Sequence, residues 1–355
     1  YLSIGQSSTA LLTIEQHDRL VHAQNNYIGM VEADMNRAWV YQDRGEPDRA
    51  LSYLQDALGV ATMVKYRFGI MAARNDMAGV YYAKGDIANA VLSTAEALKA
   101  ANEMGFLQGA AKIVSNMGWV YAQERDFDVA VACYAFGLDA VLELGEVSQL
   151  IFTLGNVLVA YIETNQYDSA AILIDEIEPL MQAIGDHEML PAHLFYRALL
   201  NERMGEYDLA RRFYNEATAS ALDSEAHEIH FRSRIALLRV AAATNEITAE
   251  EAITRLRALL DGLENPMQMA EIWYEMWKLA PDDNEIQSQA EELHAELYAQ
   301  FPNVQTHQRY EQISGQQHPP PDDLPAPPDY ILEYGSRLDD LIEQSIAFIG
   351  QMTSS

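Results

Sequence analysis

The chain has 355 residues, 49% of them hydrophobic, and sets 53 acids against 23 lysines and arginines for a formal charge of −30. A surface of that sign repels phosphate backbones and anionic lipid, which excludes nucleic-acid binding and membrane attachment by general electrostatics. The longest apolar stretch, LIFTLGNVLVAYI from Leu150, is broken by Thr, Gly and Asn and falls short of the roughly 20 residues that span a bilayer, while a lone Cys133 excludes an internal disulfide and fits a reducing, cytoplasmic compartment.

The chain opens YLSIGQSSTA, a Tyr followed by Gly four residues on and Ala five beyond that. The same frame returns every 40 residues: Tyr41, Gly45 and Ala50, then Tyr81, Gly85 and Ala90, then Tyr121, Arg125 and Ala130, then Tyr161, Asn165 and Ala170. Asn201, Gly205 and Ala210 continue it, and Asn245 keeps the turn position alone. A period between 20 and 50 residues marks stacked repeats, each too small to bury its apolar face without a neighbour. Residues 1–23 then read as a truncated half repeat, the start expected of an excised fragment.

Each unit holds two helical patterns. In GFLQGAAKIVSNMGWVYAQE apolar residues recur at three- and four-residue spacing from Phe106 to Tyr121, and DFDVAVACYAFGLDAVLEL does the same from Phe127 to Leu144. Acids open the second helix, as at Asp86, Asp126, Asp128 and Glu206, where free N–H groups favour negative charge, and Pro47 occupies a first-turn position. Gly105, Gly145 and Gly185 fall where that helix should stop, in the left-handed conformation that glycine adopts without strain. No stretch alternates with period two. The pattern predicts an all-α fold, a right-handed superhelical α-solenoid of antiparallel helix pairs. Six pairs occupy 24–263, with extra residues in the turn NEITAEEA, and a degenerate terminal pair occupies 264–303. Residues 261–300 hold ten acids and one Lys, which suits either solubility or a basic partner.

Gly118-x-x-Tyr121 with Ala130 nine later, and Ala38-x-x-Tyr41 with Ala50 nine later, resemble the tetratricopeptide repeat. The likeness covers about residues 1–300 and weakens at the fifth unit, where Asn201 replaces the Tyr. The 40-residue length is similar to the repeats of kinesin light chain, of spindle-orientation scaffolds, and of the sensor arms of bacterial signalling ATPases and maltose-activator-type regulators. The resemblance implies a cofactor-free protein- or peptide-binding module, the sensor or scaffold arm of a larger signalling protein. A second possibility is an intramolecular autoinhibitory or oligomerisation arm gated by a small effector.

A second ladder runs inside the first. Five residues before each Tyr stand Asn36, Asp76, Asn116 and Asn156; five helical steps turn this position about 140° from the Tyr, so it cannot share the packing face. The resemblance puts such an Asn on the concave surface, where an amide that both donates and accepts holds the backbone of an extended peptide. Three and seven residues on, the stripe carries Trp39 and Asp43, Gly79 and Ala83, Trp119 and Gln123, Val159 and Glu163. Asn36, Trp39, Asp43, Asp76, Asn116, Trp119, Gln123, Asn156 and Glu163 are therefore the candidate peptide-binding residues. The plainer reading is that the Trp rings fill gaps between neighbouring first helices and the amides face water. Lys and Arg are absent from these positions, which argues against a clamp for a terminal carboxylate and for an internal segment, basic or apolar.

His227 and His230, in HEIH with Glu225 nearby, could share a helical face and bind a metal, yet the motif is one residue short of HExxH and no further ligand is spaced to join it. A Gly-rich phosphate loop, GxSxG and a Cys–His pairing are all missing, so the expectation is a chain with no catalysis and no metal. HPPPDDLPAPPDY, from His318, makes 304–329 a Pro-rich linker that should run extended. Residues 330–355 regain helical periodicity, with Leu338, Leu341, Ile342, Ile346 and Ile349 on one side of a capping helix. This tail either caps the solenoid or lays its Pro-rich strand in the molecule's own groove.

Overall fold

The computed structural model describes residues 4–184 and 189–353, so Tyr1 of the leading half repeat and Gly185 lie outside the described residues. A first helix, α1 (Ile4–Ala23), is followed by helix pairs: α2 (Tyr27–Asp43) with α3 (Pro47–Met63), α4 (Arg67–Ala83) with α5 (Ile87–Met104), α6 (Leu107–Gln123) with α7 (Phe127–Leu144), and α8 (Val147–Glu163) with α9 (Tyr167–Ile184). The series goes on through α10 (Leu190–Arg203) and α11 (Tyr207–Asp223), α12 (His227–Ala243) and α13 (Ala249–Arg257), and α14 (Pro266–Leu279) and α15 (Asn284–Gln300). Each helix packs on the next, and the result is an all-α solenoid.

The repeat is set by backbone handedness. Asn25, Gly45, Lys65, Gly85, Gly105, Arg125, Gly145, Asn165, Gly205, Glu225 and Asn245 all have φ between 51° and 81°, one left-handed residue every 20 positions over 25–165 and again over 205–245. Each closes a helix by reversing its last turn: Glu46 N–H bonds Tyr41 O at 2.8 Å, Tyr66 N–H bonds Ala61 O at 2.8 Å, and Asp126 N–H bonds Tyr121 O at 2.9 Å. The following residue then starts the next helix, with Asp86 and Asp126 accepting from the N–H groups of Asn89 and Val129 and Pro47 standing in the first turn. A Cβ in the left-handed region costs roughly 1–2 kcal/mol, part of which glycine gives back as unfolded-state entropy. Lys65→Gly, on an exposed turn, should accordingly stabilise the fold by about 1 kcal/mol, read as a rise in the urea midpoint.

Small residues bring the helices together. Ala50, Ala90, Ala130, Ala170 and Ala210 are fully buried. At Gly118 an added Cβ would stand 2.7 Å from the Tyr134 ring and 3.0 Å from Cys133 Cβ, so α6 needs glycine there to lie against α7. Cys133 is itself buried, and desolvation pushes its thiol far up, which makes it a packing residue and a poor nucleophile.

The regular pattern changes at α13, which has 9 residues where the other second helices before it have 17 or 18. The extra residues of the preceding turn bring in Thr248 as its cap, accepting from Glu251 N–H at 3.1 Å. A larger departure lies in the segment read as a linker, because Val304–Ser314 forms a helix, α16. Its ends are fixed locally: Asn303 accepts from Thr306 N–H at 2.9 Å, and Gly315 closes it at φ 66°. VQTHQRYEQIS shows little apolar periodicity, and only Thr306 and Ile313 of its side chains are buried.

Beyond α16 the prolines run without regular structure to α17 (Asp329–Leu332), a 3-10 turn (Glu333–Arg337) and α18 (Leu338–Thr353). Proline cannot donate but keeps its carbonyl, and this strand is held by donors reaching its carbonyls. Tyr298 bonds Pro319 O, His307 Nε2–H bonds His318 O at 3.0 Å, and Tyr121 bonds Pro325 O at 2.6 Å. The end of the chain then packs on α7, α8 and α9. Ile331, Leu338, Leu341 and Ile349 join the cluster formed by these helices, and Tyr334 and Arg337 reach Asp139 at 3.3 and 2.8 Å. Of the two courses open to the tail, the Pro-rich strand does not run in the Asn/Trp stripe in this structure. Its hydrogen bonds go to Tyr121, Tyr298 and His307, and the helix after it docks mainly on the second helices.

Candidate peptide groove

The stripe sits on α2, α4, α6 and α8. Asn36, Asn116 and Gln123 are exposed, and Asp43, Asp76, Asn156 and Glu163 are half-buried. Trp39 is 61% exposed and Trp119 44% exposed. The Trp119 ring rests on Tyr82 with centroids 4.8 Å apart, which leaves its outer face open without making it a core residue. At Asn156 the Nδ2 atom is buried and donates to no acceptor. Buried amide donors are rarely left unpaired, and each such atom calls for an explanation.

Further along, the first helices curve around a hollow of about 890 Å3 whose opposite wall is α16, through Gln305, Gln308, Arg309 and Gln312. Glu163 faces this hollow and holds Arg125 at 3.4 Å. Gln123 and Glu163 also line an adjoining hollow of about 370 Å3, and Asp76 lines a separate one of about 370 Å3 beside α4 and α6. The candidate residues thus share one face but do not line one cavity.

The large hollow contains an ion network that the stripe did not announce. Arg239 bonds Glu202 at 2.6 and 2.8 Å and Glu275 at 3.1 Å; Lys278 also reaches Glu275 at 3.1 Å, and Tyr214 donates to Glu202 at 2.7 Å. Burial raises the Glu202 carboxyl, but the bonds and charge of Arg239 outweigh it and hold the group below its ordinary value. Arg309 does the same for Glu271. His294 gives its Nδ1–H to Ala290 O at 2.8 Å, turns an unpartnered Nε2 inward, and is lowered by desolvation to about 4. The register did hold a signal: steps of 40 from Trp119 pass Val159 and Leu199 and land on Arg239.

His227 and His230 stand in the first turn of α12, and no group of three His, Cys, Asp or Glu side chains among the described residues could hold a metal there or elsewhere. Among the described residues no helix is long and apolar enough to cross a membrane.

Two solved structures share this arrangement. The crystal structure of BtubC (BKLC) from P. vanneervenii aligns over 62% of this chain and 91% of its own at 20% identity, with a TM-score of 0.54. A tetratricopeptide repeat protein from Parabacteroides merdae aligns over 80% of this chain and 99% of its own at 14% identity, also with a TM-score of 0.54. The fold is a tetratricopeptide-repeat-like α-solenoid. At these identities the likeness is one of fold. No family model matches the sequence, and no curated protein does so. Tyr121 and Tyr161 are buried between the helices, whereas of the 36, 76, 116 and 156 positions two are exposed and two half-buried.

Proposed function

We infer that the chain is a non-catalytic protein- or peptide-binding module, the sensor or scaffold arm of a larger cytoplasmic signalling or regulatory protein. It binds an extended partner segment along the first-helix stripe. The observation that carries this reading is the open polar and aromatic stripe, on which Asn36 and Asn116 are exposed beside Trp39 and Trp119. An exposed amide can donate to a peptide carbonyl and accept a peptide N–H in return. Trp39 and Trp119 flank the amides with open aromatic surface, the residue type that anchors interfaces. A preformed stripe loses little order on binding.

The test is recovery of partners from the cell extract with the intact chain and with Asn116→Ala/Asn156→Ala, read by mass spectrometry. A partner that binds the intact chain and is lost from the double variant supports the groove. Equal recovery by both proteins sinks it.

A second reading has its own observation. Because α16 already faces the large hollow, the solenoid can act within its own protein as an autoinhibitory or oligomerisation arm that responds to a small effector. A dependence of oligomeric state on added effector, with no peptide bound, would favour it.

A further inference from the structure

Beside α4 the stripe opens into a notch of about 370 Å3. Phe68, Ala72 and Asp76 stand four residues apart on α4, so one line of the helix passes from an aromatic ring through a small side chain to a carboxylate. Phe106 closes the other wall with its ring 5.9 Å from that of Phe68. Gly109 makes room for it, since a Cβ there would stand 2.4 Å from the Phe106 ring. Leu144 forms the rim, and Phe68 and Leu144 keep 46% and 37% of their surface exposed.

The polar end of the notch is acidic. Lys112 lies near Asp76 and lowers its pKa, yet burial outweighs it and the Asn75 hydrogen bond and leaves the Asp76 carboxyl raised. Glu146 adds a second acid, held by Gln108 at 2.9 Å. Two acids and one base therefore meet beside walls that carry Phe68, Met71, Phe106, Ile113, Val141 and Leu144. A half-buried carboxylate in such a place is stabilised most by a cation that arrives with its own apolar cover.

We propose that this notch sets the specificity of the groove: it takes an aromatic side chain of the bound segment, and a lysine or arginine adjacent in that segment pairs with Asp76. The proposal rests on the groove reading given above. The volume suits one large side chain, the Phe68 and Phe106 rings offer it face and edge contacts, and an acidic neighbour would meet Asp76 and Glu146 at like charge.

Three fluorescein-labelled decapeptides, identical except for a central Trp-Lys, Trp-Glu or Ala-Lys pair, test it by fluorescence anisotropy against the full chain up to millimolar concentration. Trp-Lys should bind on the order of fivefold tighter than either control, about 1 kcal/mol. Asp76→Asn, which keeps the side-chain shape, should bring Trp-Lys to the level of Trp-Glu. Ala72→Leu, which fills the notch, should bring it to the level of Ala-Lys, with circular dichroism confirming that each variant is folded. Equal binding of the three peptides, binding of none, or insensitivity of Trp-Lys to Asp76→Asn overturns the proposal. The two readings separate in Asn116→Ala/Asn156→Ala. If that variant binds Trp-Lys as the parent does while Asp76→Asn weakens it, the notch stands without the amide ladder. If it loses all three peptides equally and the parent shows no preference among them, the ladder stands without the notch.

Discussion

Arg239→Ala should destabilise the C-terminal half of the solenoid by about 3 kcal/mol. The side chain bridges Glu202 on α10 and Glu275 on α14, whose side chains are 13% and 6% exposed. Without the guanidinium the two acids share a partly desolvated space, with Lys278 beside Glu275 and the neutral Tyr214 hydroxyl on Glu202. Most of the loss therefore comes from stranded charge and little from lost contact area. Adding Glu202→Gln and Glu275→Gln should recover much of it, because neutral amides can bond to each other and to Tyr214. Acid titration gives a second check. The Glu202 pKa is lowered in the folded state, so its contribution is complete above the ordinary carboxylate value and is lost as pH falls through the lowered one. The gap between parent and Arg239→Ala should shrink over that acid window. Urea titration with hydrogen exchange resolved to α12 measures both. A gap independent of pH would mean that Arg239 acts by packing alone.

The parts of the fold legible in the sequence were those governed by local backbone chemistry. Gly45, Gly85, Gly105, Gly145 and Gly205 announce left-handed turns directly, and the frame carries the turn on to Arg125, Asn165 and Asn245, where residue type alone is a weaker guide. The intervening turns at Asn25, Lys65 and Glu225 are the same device half a period later. What stayed hidden depends on contacts distant in sequence. α16 has a cap and a closing glycine but a weak apolar pattern, and among its ties to the solenoid is Glu124 Oε2 accepting from Val304 N–H at 3.0 Å across 180 residues. Phe301 similarly sits beside Gly85, where an added Cβ would be 3.0 Å from Gln300 O. Nothing in the sequence near 301–304 names those partners. The site divides the same way: the stripe follows from register, whereas the notch at Asp76 needs α4, α6, α7 and α8 to be placed together.

Leu341→Ala/Ile349→Ala should release the end of the chain from the solenoid. Both side chains are buried, Leu341 at 1% and Ile349 at 0% exposure, in the cluster shared with α7 and α9. Each truncation removes apolar contact and leaves a cavity, at about 2–5 kcal/mol for a residue of this size. Their sum is bounded by the docking free energy of the tail itself, because once α18 detaches no further cost accrues to the solenoid. Release is therefore the expected result. Amides of residues 329–353 should exchange quickly, and the newly bared faces of α7 and α9 should raise dye binding or self-association. Peptide affinity should stay that of the parent, since the stripe lies on the first helices and the strand's anchors at Tyr121, Tyr298 and His307 are not part of it. A rise in affinity on release would show that the tail competes for the groove, and the outward docking seen here would then be one of two positions the strand can take.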